Sequence, residues 1–280
     1  MKIEKAENMG LCFGVRRAIK LLHQAIDKYG EIETLGPLAH NRLLVKSLAD
    51  SGAKPINHLG EAQGRILAIT THGTGPAVLS EIRAHDIRII DTTCPIVRKA
   101  QNTARELAEA GLDIIIFGQA EHREVKGLLG WAGDKGIATL NIKQIGTSQK
   151  LLSRPGIIAQ TTQTRSAFIE FARQLLDMIG PEIKEMRLVD TLCQVTQQQQ
   201  EAAVELAHRS QLMIVIGGSN SANARHLVEI CSSVVETHLV ETADEVDNSW
   251  FSGKQNVGIT AGASTPDEIV EELVAKLRSL

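Results

Sequence analysis

Long apolar runs are missing from this 280-residue chain. Nowhere do about 18 apolar residues follow one another, so no segment reads as a membrane span. The start, MKIEKAENMG, is charged and lacks the apolar stretch of a secretory signal, and the expectation is a cytoplasmic protein. Aromatics make up only 3%, with one Tyr and two Trp, which argues against stacking platforms for bases or sugars. Trp131 and Trp250 read as packing residues. A basic surplus is absent too: a net charge of -3 leaves nothing to track a nucleic-acid backbone or an anionic membrane. The four cysteines contain no close pair, unlike the framework of a small disulfide-bonded domain or the C-x-x-C pairs of structural zinc. IGGSNSANARH is glycine-containing but lacks G-x-G-x-x-G and G-K-[ST], so Rossmann and P-loop readings fall away.

What is present is enough apolar residue, 43%, to bury a sizeable core. Val15, Ala18, Ile19, Leu22 and Ile26 recur at helical spacing, predicting an amphipathic helix from Phe13 to near Gly30. Short β-rich runs alternate with such patterns: 31–35, 65–70, 87–90, 113–117, 156–159, 213–216 and 257–260. This predicts an α/β chain with mainly parallel sheets. No Gly-, Pro- or Ser-rich linker divides it, and the one low-complexity patch, Gln197 to Gln200, falls at a predicted helix start.

Three cysteines organise the chain. Cys12, Cys94 and Cys193 each follow a strand-like run and precede a helix, and Cys12 to His40, Cys94 to His122 and Cys193 to Ser221 each span 28 positions. A second polar junction follows at His72, Thr161 and Ser264, at offsets of 60, 67 and 71. A fixed first interval and a drifting second one are what loop insertions leave behind in a repeat. The expectation is three similar α/β domains, 1–93, 94–190 and 191–280, around a pseudo-threefold axis. Their strand C-terminal ends would then bring three thiols and six polar positions to one cavity.

Three converging thiolates fit an iron–sulfur cluster with one iron left open to a non-protein ligand. Helix N-termini beside them favour the thiolate. Three unrelated core cysteines remain the alternative. Cys231, in ARHLVEICSSV with Leu227 and Ile230 on one helical face, reads as core. Imidazoles at His40, His72 and His122, hydroxyls at Ser221 and Ser264, the Asn223 amide and helix N-terminal N–H groups are what a diphosphate would require. Glu124 is the acid beside these junctions that suits a proton donor, because negative neighbours raise a carboxyl pKa. A first-turn helix carboxylate is the plainer account of it.

GLCFGVRRAI, AHNRLLV, THG, DTTCPIVRK, HREVKG, QTT, DTLCQVT, SNSAN and TAGAST together resemble, over essentially the whole chain, the IspH/LytB family of 4-hydroxy-3-methylbut-2-enyl diphosphate reductases. The resemblance implies a trefoil of three α/β domains around one central [4Fe-4S] cluster, held by Cys12, Cys94 and Cys193. It implies reductive removal of the substrate hydroxyl as water, giving isopentenyl or dimethylallyl diphosphate at the end of the non-mevalonate isoprenoid pathway. By the same resemblance Glu124 delivers protons, Thr161 orients the substrate oxygen, and His122 supports both ends of the substrate. His40, His72, Ser221, Asn223 and Ser264 hold the diphosphate. An external donor such as ferredoxin or flavodoxin supplies electrons. Three positions depart from the family pattern: Ala222 where a second serine is usual, Arg123 for proline, and Gln199 for arginine. Two other readings of an open-iron site stand beside this one. One is a hydro-lyase needing no reductant; the other is a sensor that binds a cluster without turnover.

Overall fold

The computed structural model describes residues 1–133, 136–146 and 153–279. Three four-stranded parallel sheets carry the fold. The first contains β2 (Ile32–Leu35), β3 (Ala53–Ile56), β4 (Ile66–Ile69) and β5 (Arg88–Asp91), in the order β3-β2-β4-β5. The second contains β6 (Asp113–Phe117), β7 (Gly136–Thr139), β8 (Pro155–Ala159) and β9 (Arg187–Leu188), in the order β7-β6-β8-β9. The third contains β10 (Leu212–Ile216), β11 (Thr237–Val240) and β12 (Asn256–Ala261), and its fourth strand is β1 (Lys2–Lys5). Read as β11-β10-β12-β1, it repeats the order of the other two.

This departs from the sequence expectation at one point. The expected first domain, 1–93, includes residues 2–5, whereas Lys2 to Lys5 pair with Asn256 to Ile259 of the third sheet. Each of the other sheets ends in a strand followed within five residues by the next cysteine, and β1 likewise precedes Cys12, by seven. The N-terminal strand thereby closes the ring that the C-terminal unit leaves open.

The central strands are apolar on both faces, as in DIIIF, PGIIA and LMIVI, because helices cover both sides. In the first lobe α1 (Phe13–Tyr29) and α2 (Arg42–Asp50) pack on one face and α3 (Pro76–Ala84) on the other. In the second, α4 (Pro95–Glu109) and α5 (Arg123–Ala132) oppose α6 (Lys143–Gly146) and α7 (Arg165–Ile179). In the third, α8 (Gln194–His208) and α9 (Ala222–Ser232) oppose α10 (Asp267–Arg278). Fully buried side chains such as Leu22, Ile115 and Ile214 each contribute about 1.5–3 kcal/mol, so each lobe has its own core. Among the described residues no helix is long and apolar enough to cross a membrane.

Candidate active site

Each of the three cysteines is the N-cap of its helix, Cys12 of α1, Cys94 of α4 and Cys193 of α8, and none uses its side chain as the cap. The sulfurs are left for another purpose. The backbone fixes them in the same way three times: Cys12, Cys94 and Cys193 donate their N–H to the carbonyls of Ala263, Thr71 and Thr161, at 3.0, 3.0 and 2.8 Å. Those acceptors sit at the second junction of each sheet. Burial pushes the Cys12 and Cys94 thiols up, helix N-terminal N–H groups pull them back, and the neighbouring thiols raise them again. A cation is what such a set needs in order to ionise.

Gly14 separates two of these sulfurs. A Cβ there would lie 2.6 Å from Cys94 Sγ and 3.8 Å from Cys12 Sγ, so any side chain would occupy the space between the thiols. Soft donors on rigid helix termini, with a glycine keeping the space open, fit an iron–sulfur group.

All eleven residues singled out from the sequence line one cavity of about 110 Å³. His40 lies just before α2, His122 caps α5, and Ser221 caps α9 through a bond accepted from the Ala224 N–H. His72, Thr161 and Ser264 follow β4, β8 and β12. The imidazole centroids of His40, His72 and His122 are 4.7, 5.2 and 5.5 Å apart. Burial depresses all three pKa values, assisted by Arg123 and other cationic neighbours, with His122 brought to about 4 and His72 well below its ordinary value. The rings are therefore neutral at pH 7.

A nitrogen from each ring lies within 4.8 Å of the others, close enough for the three to converge on a metal ion. The hydrogen bonding at His122 points elsewhere. Its Nδ1 accepts the Glu124 N–H at 3.2 Å, so the neutral ring carries its proton on Nε2 and presents a donor. A metal-binding imidazole has the reverse arrangement, its other nitrogen donating to an oxygen. His40 Nε2 and His72 Nδ1 are buried without a partner. Donors at the heads of α5 and α9 suit an anion.

Glu124 is 2% exposed, in the first turn of α5. Its two oxygens accept from the Thr161 N–H at 2.6 Å and the Thr161 hydroxyl at 2.8 Å. Burial raises its pKa to about 7 against the lowering effect of those bonds. Thr161 also accepts the Cys193 N–H through its carbonyl, so one residue connects the acid to a cysteine.

The three unusual positions find partners or space. Arg123 donates to the Leu35 carbonyl at 3.4 Å, filling the space beside Gly36 and tying the second lobe to the first. Ala222 is 2% exposed and lines the cavity with a methyl group. Gln199, 3% exposed, donates to the Gly10 carbonyl at 2.9 Å. Sequence reasoning missed Gly14 and Thr196. Thr196 lines the cavity three residues after Cys193, its hydroxyl donating to the Cys193 carbonyl at 2.9 Å. Its i+3 spacing from a capping cysteine was the available signal. Cys231 is fully buried among Leu206, Leu227 and other core residues, which pushes its thiol up to about 11, and it does not line the cavity.

Fold and site together define a class: a three-lobed α/β protein whose helix-capping thiols, neutral histidines and one buried acid share a single cavity. The comparisons with known proteins narrow the class. The LytB protein family model matches residues 3–278, and the chain belongs to that family. A 4-hydroxy-3-methylbut-2-enyl diphosphate reductase of Dehalococcoides mccartyi (strain CBDB1) is 44% identical over 280 residues, covering 100% of this chain and 99% of its own. One of Campylobacter curvus is 39% identical over 277 residues, covering 98% of each. A solved (E)-4-hydroxy-3-methyl-but-2-enyl diphosphate reductase, described as the terminal enzyme of the non-mevalonate pathway, is 35% identical with a TM-score of 0.73 over 100% of both chains. The Plasmodium falciparum E-1-hydroxy-2-methyl-but-2-enyl-4-diphosphate reductase is 25% identical with a TM-score of 0.91, over 98% of this chain and 87% of that one.

Proposed function

We propose that this chain is a cytoplasmic iron–sulfur reductase that converts (E)-4-hydroxy-3-methylbut-2-enyl diphosphate to isopentenyl and dimethylallyl diphosphate. Two electrons and two protons enter, the carbon–oxygen bond of the hydroxyl breaks, and water leaves. Cys12, Cys94 and Cys193 would hold one [4Fe-4S] cluster per chain, which supplies the electrons and, at an iron without a cysteine, Lewis acidity. A separate low-potential carrier of the ferredoxin or flavodoxin kind would supply its electrons.

The chain's own residues do the rest. His40, His72 and His122, with Ser221, Asn223 and Ser264, bind the diphosphate, aided by the N–H groups at the starts of α5 and α9. Thr161 holds Glu124 and orients the substrate hydroxyl. Glu124, with a pKa of about 7, is poised to give a proton at neutral pH. The observation that supports this reading is the link from Glu124 through Thr161 to the Cys193 N–H, in a cavity that the three cysteines also line.

The test is anaerobic purification with iron and sulfide analysis, followed by assay on the hydroxylated C5 diphosphate with a low-potential donor. Reductant-dependent formation of both products is the expected result. A colourless, zinc-containing protein would sink the cluster assignment, and turnover without reductant would indicate a hydro-lyase.

A further inference from the structure

Asn223 is the one amide among the residues assigned to the diphosphate, and an amide has two different ends. Which end it offers a ligand depends on what holds the other. Asn223 is 4% exposed, and its Nδ2 donates to Gln199 Oε1 at 3.4 Å. Gln199 in turn donates through Nε2 to the Gly10 carbonyl at 2.9 Å. A backbone carbonyl only accepts, so Gln199 has to turn its NH2 toward Gly10 and its oxygen toward Asn223. That oxygen only accepts as well, so Asn223 has to answer with its NH2. The polarity of the chain is thus set at its far end by Gly10. What remains on Asn223 is Oδ1, buried without a partner, and one unused N–H.

Resting on the reading of the cavity as a diphosphate site, we infer that Gln199 is a positioning residue: it fixes the Asn223 amide so that one N–H and the unpaired oxygen are available to the ligand. A phosphate group carrying one proton supplies both complements, an anionic oxygen for the N–H and a P–OH for Oδ1. Gln199 is suited to this because it is held at both ends, buried in α8 and anchored two residues before Cys12. An apolar side chain of the same length would leave the Gly10 carbonyl unpaired and Asn223 free to rotate.

The experiment measures the dissociation constant of inorganic diphosphate by calorimetry on cluster-loaded protein, together with KM and kcat for the substrate. Four chains are compared: the parent, Gln199→Met, Asn223→Ala and the double variant. Gln199→Met is expected to weaken diphosphate binding and raise KM about tenfold, with kcat within about twofold and iron and sulfide per chain unchanged. Asn223→Ala should do the same, and adding Gln199→Met to it should change neither constant by more than about twofold, because residues that act through one another are not additive. An undiminished Gln199→Met effect in the Asn223→Ala background overturns the inference. So does unchanged diphosphate binding in Gln199→Met. If Gln199→Met fails to fold, Gln199→Ala replaces it: a loss of about tenfold that disappears in the Asn223→Ala background supports the inference, and unchanged diphosphate binding overturns it. Diphosphate binding without turnover in the parent would count against the proposed reaction and leave the positioning of Asn223 to be judged on calorimetry.

Discussion

Replacing Glu124 with glutamine removes one titrating proton from the centre of the cavity and little else. The amide can still accept the Thr161 N–H, now 2.6 Å from the carboxylate, while the bond from the Thr161 hydroxyl reverses or is lost. Loss of a positioned general acid typically slows a reaction about 100- to 10,000-fold, and that is the expected fall in kcat, with cluster content unchanged. The same substitution has a second signature. Movement of the pKa from 4.5 to about 7 means that the folded chain holds this proton more tightly than the unfolded one. The stabilisation, about 3 kcal/mol, is complete below pH 4.5 and disappears as pH rises through 7. His122 acts in the opposite sense: with its pKa lowered from 6.5 to about 4, its contribution is present above pH 6.5 and is lost as pH falls through 4. The two partly cancel in the parent, so the informative quantity is the difference between parent and variant. Denaturant unfolding of both, anaerobically at pH 5 and pH 8, should find Glu124→Gln gaining on the parent by about 2 to 3 kcal/mol at the higher pH. Parallel stability curves would refute the burial argument; an undiminished kcat would reassign the proton donor.

Gly14→Ala puts a methyl group 2.6 Å from Cys94 Sγ, so iron and sulfide per chain should fall by more than about half while far-ultraviolet circular dichroism stays unchanged. Cys231→Ala removes a fully buried sulfur from the core away from the cavity; it should cost about 1–2 kcal/mol in denaturant unfolding and leave the iron content intact. Ala222→Ser adds a hydroxyl to the cavity wall at the head of α9, and calorimetry should show inorganic diphosphate binding about 3- to 10-fold more tightly. An unchanged constant would mean that this position does not reach the phosphate.

All seven strands read from the sequence are present, and the five others among the described residues, β1, β3, β7, β9 and β11, are all sheet edges. An edge strand has one neighbour and a half-exposed face, so KIEK and THLV carry no continuous apolar run to betray them. The membership of β1 was illegible for a related reason: nothing in four residues specifies a partner some 250 positions away. The site was more legible, because constant spacing survives where residue identity does not. The intervals from Cys12, Cys94 and Cys193 led to His40, His122 and Ser221, and those residues share one cavity. The side-chain partners were not readable. That Glu124 leans on Thr161, or that Gln199 reaches back to Gly10, depends on how elements far apart in sequence pack within one lobe.

The threefold arrangement accounts for the thiols and for little beyond them. Strand, cysteine and helix recur in the same geometry three times, each cysteine held by the carbonyl at an equivalent junction, and the symmetric result is a symmetric set of thiols. Chemistry on a substrate with different ends requires the symmetry to be broken, and it is broken at the positions between the thiols. The first lobe offers two imidazoles, the third offers two hydroxyls and an amide, and the second alone combines an imidazole with a buried carboxyl. Glu124 occupies the second position of a helix whose cap, His122, has its Nδ1 committed to the Glu124 N–H. One backbone turn therefore aims an Nε2–H donor and a carboxyl with a raised pKa into the same cavity. On the proposed reading, an anion held by the first would set the direction from which the second could deliver a proton, a pairing that the junctions of the other two lobes do not offer.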